Sequence, residues 1–288
     1  MDTVSHRRTR AHLDWQLLLV SYMLAAFGII NIAIASYDPD KGTNLSLLNY
    51  IVNSNSASWQ SIFTLASLVV VFIAIAIPLD FYKARARLFY YAVLALLVVT
   101  LAAATAVSGI NAWLKVGWGR TIQPCEFAKL SILLMLAREL SNSEKPMGTF
   151  REFVRISFLF GIPALVTLAQ GETGTVIVMG FMFLVMIFFS GADIRIVLFL
   201  ITVVLLAVAT LFGYALLSNS TDYRILRILS FLDPQKYYNS AGYQILYSQM
   251  AIGSGRLNGI GMFIVGSISQ LDFVPEDHTD FKIGRAHV

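Results

Sequence analysis

Long apolar runs separated by short polar clusters dominate this chain. Seven runs stand out, approximately Trp15–Ser36, Trp59–Leu79, Leu88–Gly109, Pro124–Leu140, Val154–Gln170, Gly174–Ser190 and Ile194–Leu217. A bilayer core of about 30 Å takes about 20 apolar residues of helix. The pattern therefore predicts an all-α polytopic membrane protein with seven transmembrane helices. The fourth and fifth runs are short, which suits a tilted or partly interfacial helix. After the seventh run the pattern changes. Residues Ser218–Phe281 are too many for an ordinary connection and too rich in Tyr, Ile, Leu and Phe for a disordered one. Within them Leu246–Ile268 is apolar but carries glycines at 253, 255, 259, 261 and 266. That composition fits a re-entrant or membrane-surface segment packed on protein. The expectation is a long, partly helical loop.

Composition agrees. Of 288 residues, 57% are hydrophobic and 13% charged, against about 25% charged in soluble domains. The mean hydropathy is +0.70 and the isoelectric point is near 9.2. The basic residues sit between the apolar runs, as membrane topology requires, so their excess does not point to nucleic acid. One side collects Arg7, Arg8, Arg10, Lys83, Arg85, Arg87, Arg138, Lys145, Arg151, Arg155 and Arg195; the other only Lys41, Lys115 and Arg120. This bias places the N-terminus in the cytoplasm, and seven crossings then put Ser218 onward outside. No ATP pool exists there, so chemistry on that face needs a pre-activated substrate. The lone Cys125 excludes an internal disulfide and a cysteine metal cluster. The first run is too long for a signal peptide and lacks a small-residue cleavage site. With no repeat, low-complexity tract, Walker or Rossmann motif, residues 1–281 read as one membrane domain.

Four constellations could carry chemistry. The first is Ser269–Phe281, which crowds Asp272, Glu276, Asp277, His278, Thr279 and Asp280 together. Polar groups near a bilayer are rarely without a task. Asp280 beside Phe281 is either a proton acceptor in low dielectric or, with Thr279, the cap of a following helix. Asp272, Glu276, Asp277 and His278 either hold a divalent cation or form a solvated turn around Pro275. The second runs from Trp113 to Lys129. Trp113 and Trp118 suit an interface. Lys115 and Arg120 suit a diphosphate. Glu126 and Lys129, three apart, share a helix face and can pair, as a structural pair or as the mark of a polar cavity. The third is Gln170-Gly171-Glu172-Thr173-Gly174-Thr175, a tight turn with Glu172 at the outer face. The fourth is Arg224 and Arg227, either solvated or facing phosphate.

Three of these blocks, in order, resemble the SEDS family (shape, elongation, division and sporulation). Trp113-Leu114 followed by Gln123-Pro124-Cys125-Glu126-Phe127-Ala128-Lys129 is similar to the family's Arg-Trp and Gln-Pro-Ser-Glu-x-x-Lys. Gln170-Gly171-Glu172-Thr173-Gly174-Thr175 is similar to its Gln-Pro-Asp-x-Gly-Thr. Gly242-Tyr243-Gln244, Ser248, Ala251-Ile252-Gly253-Ser254-Gly255 and Pro275–Phe281 are similar to its long outer loop. The Ala-Ile-Gly-Ser-Gly run points to the elongation-type, RodA-like branch. There are departures: Ala112 stands for an Arg, Cys125 for Ser, Gly171-Glu172 for Pro-Asp, Tyr247 for Gln and Arg256 for Gly.

The resemblance implies a peptidoglycan glycosyltransferase of the bacterial plasma membrane, polymerising lipid II outside the membrane during elongation and shape maintenance. By correspondence Asp280 would be the catalytic base. Trp113, Lys115, Arg120, Gln123, Glu126, Lys129, Glu172, Ser248, Glu276, His278 and Thr279 would bind substrate. The cofactor stays open between none and a divalent cation, magnesium or manganese. The implied partners are lipid II, a class B penicillin-binding transpeptidase and other elongation-machinery membrane proteins. A lipid-linked precursor flippase and a non-catalytic scaffold are the alternatives. Lys282–Val288 departs from the pattern and reads like a translated sequencing adapter. The resemblance therefore also implies further helices after Phe281 in the natural protein, and an inactive chain without them.

Overall fold

The computed structural model describes residues 14–35, 47–103, 112–117, 120–143, 146–217, 223–239 and 242–255. A helix occupies each of the seven apolar runs: α1 (Trp15–Ala35), α3 (Asn55–Ala76), α4 (Leu79–Ala103), α5 (Pro124–Ser141), α6 (Phe150–Ala169), α7 (Thr173–Phe189) and α8 (Ile194–Leu217). Three shorter helices join them: α2 (Leu47–Asn53), α9 (Tyr223–Leu232) and α10 (Gly242–Gly255). Among the described residues, α1, α3, α4 and α6 are long and apolar enough to cross a membrane. α5 is interrupted by Glu126, Lys129, Arg138 and Glu139, and α7 is shorter, at 17 residues. The chain is a multi-pass membrane protein.

Three local features differ from the sequence expectation. α4 starts at Leu79 rather than Leu88, directly after Pro78. Lys83, Arg85 and Arg87 therefore ride on a helix instead of a loop. Lys and Arg are good helix formers, and their long stems carry the charge away from apolar surroundings. α3 starts at Asn55 rather than Trp59, because the Ser54 hydroxyl caps it by accepting from Ala57 N at 3.2 Å. Finally, the fold is not wholly helical. β1 (Leu114–Gly117) and β2 (Arg120–Ile122) form an antiparallel hairpin, with Leu114 opposite Ile122 and Lys115 opposite Thr121.

The chain forms two compact units, Met1–Ala76 with Tyr214–Val288, and Ile77–Gly213. In the first, α1 packs on α3 through Ile32, Ala33 and Ala57. Small residues let membrane helices approach closely. The Tyr22 hydroxyl also meets Ser67 Oγ at 2.9 Å. Leu17, Phe27, Val69 and Val70 on these helices stay exposed, as a hydrocarbon solvent allows.

In the second unit α5 is the central element. Cys125, Ala128, Ile132, Met135, Leu136 and Leu140 make a buried stripe at helical spacing. Tyr90, Val93 and Leu97 of α4, Ile156 of α6 and Met179, Phe183 and Ile187 of α7 pack in the same core.

Polar groups lock this core at two levels. At the C-terminal end of α5, the buried Glu139 carboxylate accepts from Arg87 Nη2 of α4 at 3.1 Å and lies 3.3 Å from Arg155 Nη2 of α6. One acid therefore ties three helices. Sequence reading counted Arg87 and Arg155 only as topology signals and passed over Glu139; a lone acid near the end of an apolar run was the available clue. Midway along α6, Pro163 has no N–H to give the carbonyl four residues back, that of Leu159. The Tyr90 hydroxyl of α4 donates to that carbonyl at 2.9 Å. In a bilayer such a freed group must find a partner within the protein.

Candidate functional site

The N-termini of α5 and α7 come together in the second unit. Pro124 opens α5 at its first turn, where a missing N–H costs nothing. Gln123 is the N-cap of α5 and Glu172 that of α7, yet neither side chain caps its own helix. Instead Gln123 Nε2 donates to Glu172 Oε1 at 2.6 Å. A carboxylate between two helix N-termini is favoured by both macrodipoles. One turn further in, the Cys125 thiol donates to Thr175 Oγ1 at 3.9 Å, a second link between the same helices.

The turn that carries Glu172 is built by the end of α6. Gly171 N donates to Leu168 O at 3.0 Å and Glu172 N to Thr167 O at 3.3 Å. This pair of bonds is a Schellman closure, which places a left-handed residue after the C-cap. Gly171 is that residue, with φ of 96°. Proline cannot adopt that value. The departure from the Pro-Asp pattern noted in the sequence therefore has a backbone consequence: this chain reaches Glu172 through a left-handed glycine. Gln170, just before it, is buried, and its Nε2 donates to Leu97 O of α4 at 2.8 Å. That bond fixes the start of the turn against α4.

Glu126 and Lys129 lie on the first turns of α5, joined by an ion pair of 2.8 Å. The pairing expected from their spacing is present. Glu126 is 54% exposed and Lys129 27%, so the pair contributes little to stability and presents charge outward. The β-hairpin leads directly into Gln123. Trp113, half-buried, precedes β1, and Lys115 is exposed on it. Arg120 begins β2. One end of this unit thus gathers an amide, two carboxylates and at least two cations, a set that can grip a polar, anionic ligand from several elements.

Ser248 lies elsewhere, buried in α10 of the first unit. Asp280, Glu276, His278 and Thr279 lie outside the described residues, as does the side chain of Arg120. Arg227 is exposed on α9. Among the described residues no three His, Cys, Asp or Glu side chains converge as a metal site.

Residues 14–284 match the family profile FtsW/RodA/SpoVE, described as cell cycle protein. Peptidoglycan glycosyltransferase MrdB of Escherichia coli (strain K12) is 31% identical over 272 residues, covering 94% of this chain and 68% of the relative. Probable peptidoglycan glycosyltransferase FtsW of Escherichia coli O6:H1 is 29% identical over 269 residues, covering 93% of this chain and 61% of the relative. Among solved structures, a chain of a peptidoglycan synthase complex superposes with a TM-score of 0.69 at 24% identity, covering 96% of this chain and 71% of that one. The rod shape determining protein RodA of Thermus thermophilus superposes with a TM-score of 0.55 at 20% identity, covering 96% and 97%. These two likenesses are of fold.

Proposed function

Because the chain belongs to the FtsW/RodA/SpoVE family of cell cycle proteins, we propose that it is a peptidoglycan glycosyltransferase, polymerising lipid II at the outer face of the bacterial plasma membrane during elongation. The observation that carries this reading is the bond from Gln123 to Glu172. It joins two signature blocks 49 residues apart into one polar, charged helix-end site. Curated relatives of this chain are named for the same activity.

The charge bias among the connections supports a cytoplasmic N-terminus. Seven crossings would then put the helix-end site and the long loop outside. The donor arrives pre-activated as an undecaprenyl diphosphate, so no nucleotide is needed. The 4-hydroxyl of the acceptor N-acetylglucosamine attacks the anomeric carbon of the donor N-acetylmuramic acid. The new carbon–oxygen bond forms as the bond to the lipid diphosphate breaks, with inversion. Asp280 takes the hydroxyl proton, a general-base contribution of about 10²–10⁴-fold. Lys115, Arg120 and Lys129 offset charge on the departing diphosphate. Trp113, Gln123, Glu126 and Glu172, and separately Ser248, Glu276, His278 and Thr279, are the further residues assigned to substrate binding. A divalent cation, if bound, would supply further charge neutralisation at the diphosphate. A class B transpeptidase is the fitting partner, since glycan strands leave this reaction uncrosslinked.

The test is polymerisation of purified lipid II by the full-length protein, including the helices expected after Phe281, and by its Asp280→Asn variant at equal expression. Glycan strands from the first and none from the second are expected. Undiminished polymerisation by the variant would remove Asp280 from the mechanism.

A further inference from the structure

Three tyrosines gather where α9 turns into α10. Tyr243 and Tyr247 stand one helical turn apart on α10, with ring centroids 4.4 Å apart and planes tilted by 39°. Tyr238 comes from the preceding turn, 5.6 Å from Tyr243 and 6.4 Å from Tyr247. Its hydroxyl lies 3.3 Å from that of Tyr247. The rings are mutually tilted, and two of the phenolic hydroxyls pair beside them. Tyr238 is 43% exposed and the other two are half-buried. The cluster is partly open rather than consumed by a core.

The turn is built to hold this geometry. Gly242 N donates to Tyr237 O at 3.1 Å. A Cβ at Gly242 would meet the Pro234 carbonyl oxygen at 2.2 Å and the Tyr237 carbonyl oxygen at 2.7 Å, so only glycine permits the approach. Asp233 Oδ1 accepts from Lys236 N at 3.2 Å. Lys236 lies over the Tyr237 ring at 5.8 Å.

We infer that Tyr238, Tyr243 and Tyr247 form a carbohydrate platform that holds a pyranose ring of a glycan strand. A sugar presents a face of C–H groups and a rim of hydroxyls. Aromatic faces bordered by phenols match both at low entropic cost, because tyrosine is large, rigid and amphipathic. The trio offers no carboxylate, and a neutral polymer of N-acetyl sugars needs none. Hydrogen bonding to Tyr247 and partial burial hold the Tyr238 phenol above its usual ionisation range, and partial burial does the same for Tyr243. These phenols therefore remain hydrogen-bond donors. The inference rests on the proposed glycan-polymerising role for the choice of sugar polymer and for the outer placement of this loop. The platform would retain the growing strand rather than act in bond formation.

The test is binding of the soluble β-1,4 N-acetylglucosamine tetramer to the protein in nanodiscs of neutral lipid, read by saturation-transfer NMR and by tyrosine fluorescence. Saturable binding is expected, with Tyr238→Ala and Tyr247→Gln each weakening it about three- to tenfold. Tyr247→Phe, which keeps the ring, should weaken it less than either. No binding by the unaltered protein, or binding indifferent to ring removal, overturns the inference. So does loss of transpeptidase binding in the ring variants with tetramer binding intact, which would make it a protein contact. Tetramer binding is read without lipid II. Polymerisation without tetramer binding therefore sinks the platform alone, and tetramer binding without polymerisation sinks the enzymatic reading alone.

Discussion

Removing one oxygen atom tests how this membrane domain tolerates a proline in the middle of α6. Tyr90→Phe keeps the ring, which is 2% exposed, and deletes the hydroxyl that donates to Leu159 O at 2.9 Å. Pro163 cannot serve that carbonyl, and water has no easy access to it. An orphaned buried acceptor costs about 1–3 kcal/mol, while hydrogen bonds between membrane helices average about 0.6 and reach about 1.7 kcal/mol. The expected penalty for Tyr90→Phe is therefore about 1–1.5 kcal/mol. Pro163→Ala restores an N–H four residues after Leu159 and with it the ordinary helical bond. In that background Tyr90→Phe should cost less than about 0.5 kcal/mol, because the carbonyl keeps a donor. The cycle of four proteins isolates a coupling of about 1 kcal/mol, measurable as unfolding free energy in mixed micelles titrated with SDS. Equal penalties in the two backgrounds would refute the argument that Tyr90 serves the gap left by proline.

Arg87→Ala and Arg155→Ala should each cost about 1 kcal/mol or less, since both side chains are more than half exposed and the other guanidinium remains on Glu139. Removing both should cost about 3 kcal/mol or more, because the buried carboxylate is then unpaired; additive losses in the same unfolding assay would contradict a shared acid. Gln123→Ala and Glu172→Ala should each lower lipid II polymerisation about tenfold, the equivalent of one charge-assisted hydrogen bond of about 1.5 kcal/mol. The double variant should be no worse than either, and multiplied losses would show that the two act separately. The tyrosine trio should respond to alkali with a definite sign. Tyr238 and Tyr243 have folded-state pKa values raised above the free phenol, so their stabilisation is whole below about pH 10 and fades as pH rises through the higher folded values. An ultraviolet titration of the folded protein should show the Tyr238 and Tyr243 phenols ionising later than free tyrosine, and Tyr247→Phe should bring Tyr238 back toward it.

The seven helices were legible in the chain because a bilayer imposes a one-dimensional rule: an apolar run of sufficient length must satisfy its own backbone, and a helix does so locally. The pairing of Glu126 with Lys129 was legible for a similar reason, since helical spacing alone brings them to one face. Helix starts were less legible. Lys83, Arg85 and Arg87 look like a loop by polarity, yet α4 runs through them, because charged stems do not break a helix. Glu172 could be named from its motif, but not its tie to Gln123, which depends on α5 and α7 starting side by side. The same holds for Glu139 between two arginines and for Tyr90 beneath Pro163. Residues 49 to 69 positions apart meet in these contacts, and no local pattern encodes such a meeting. Sequence determined which segments become apolar helices and which polar residues were available. The packing of α4, α6 and α7 around α5 decided which of those residues would find one another, because a buried polar group takes whichever partner the neighbouring helix brings within reach.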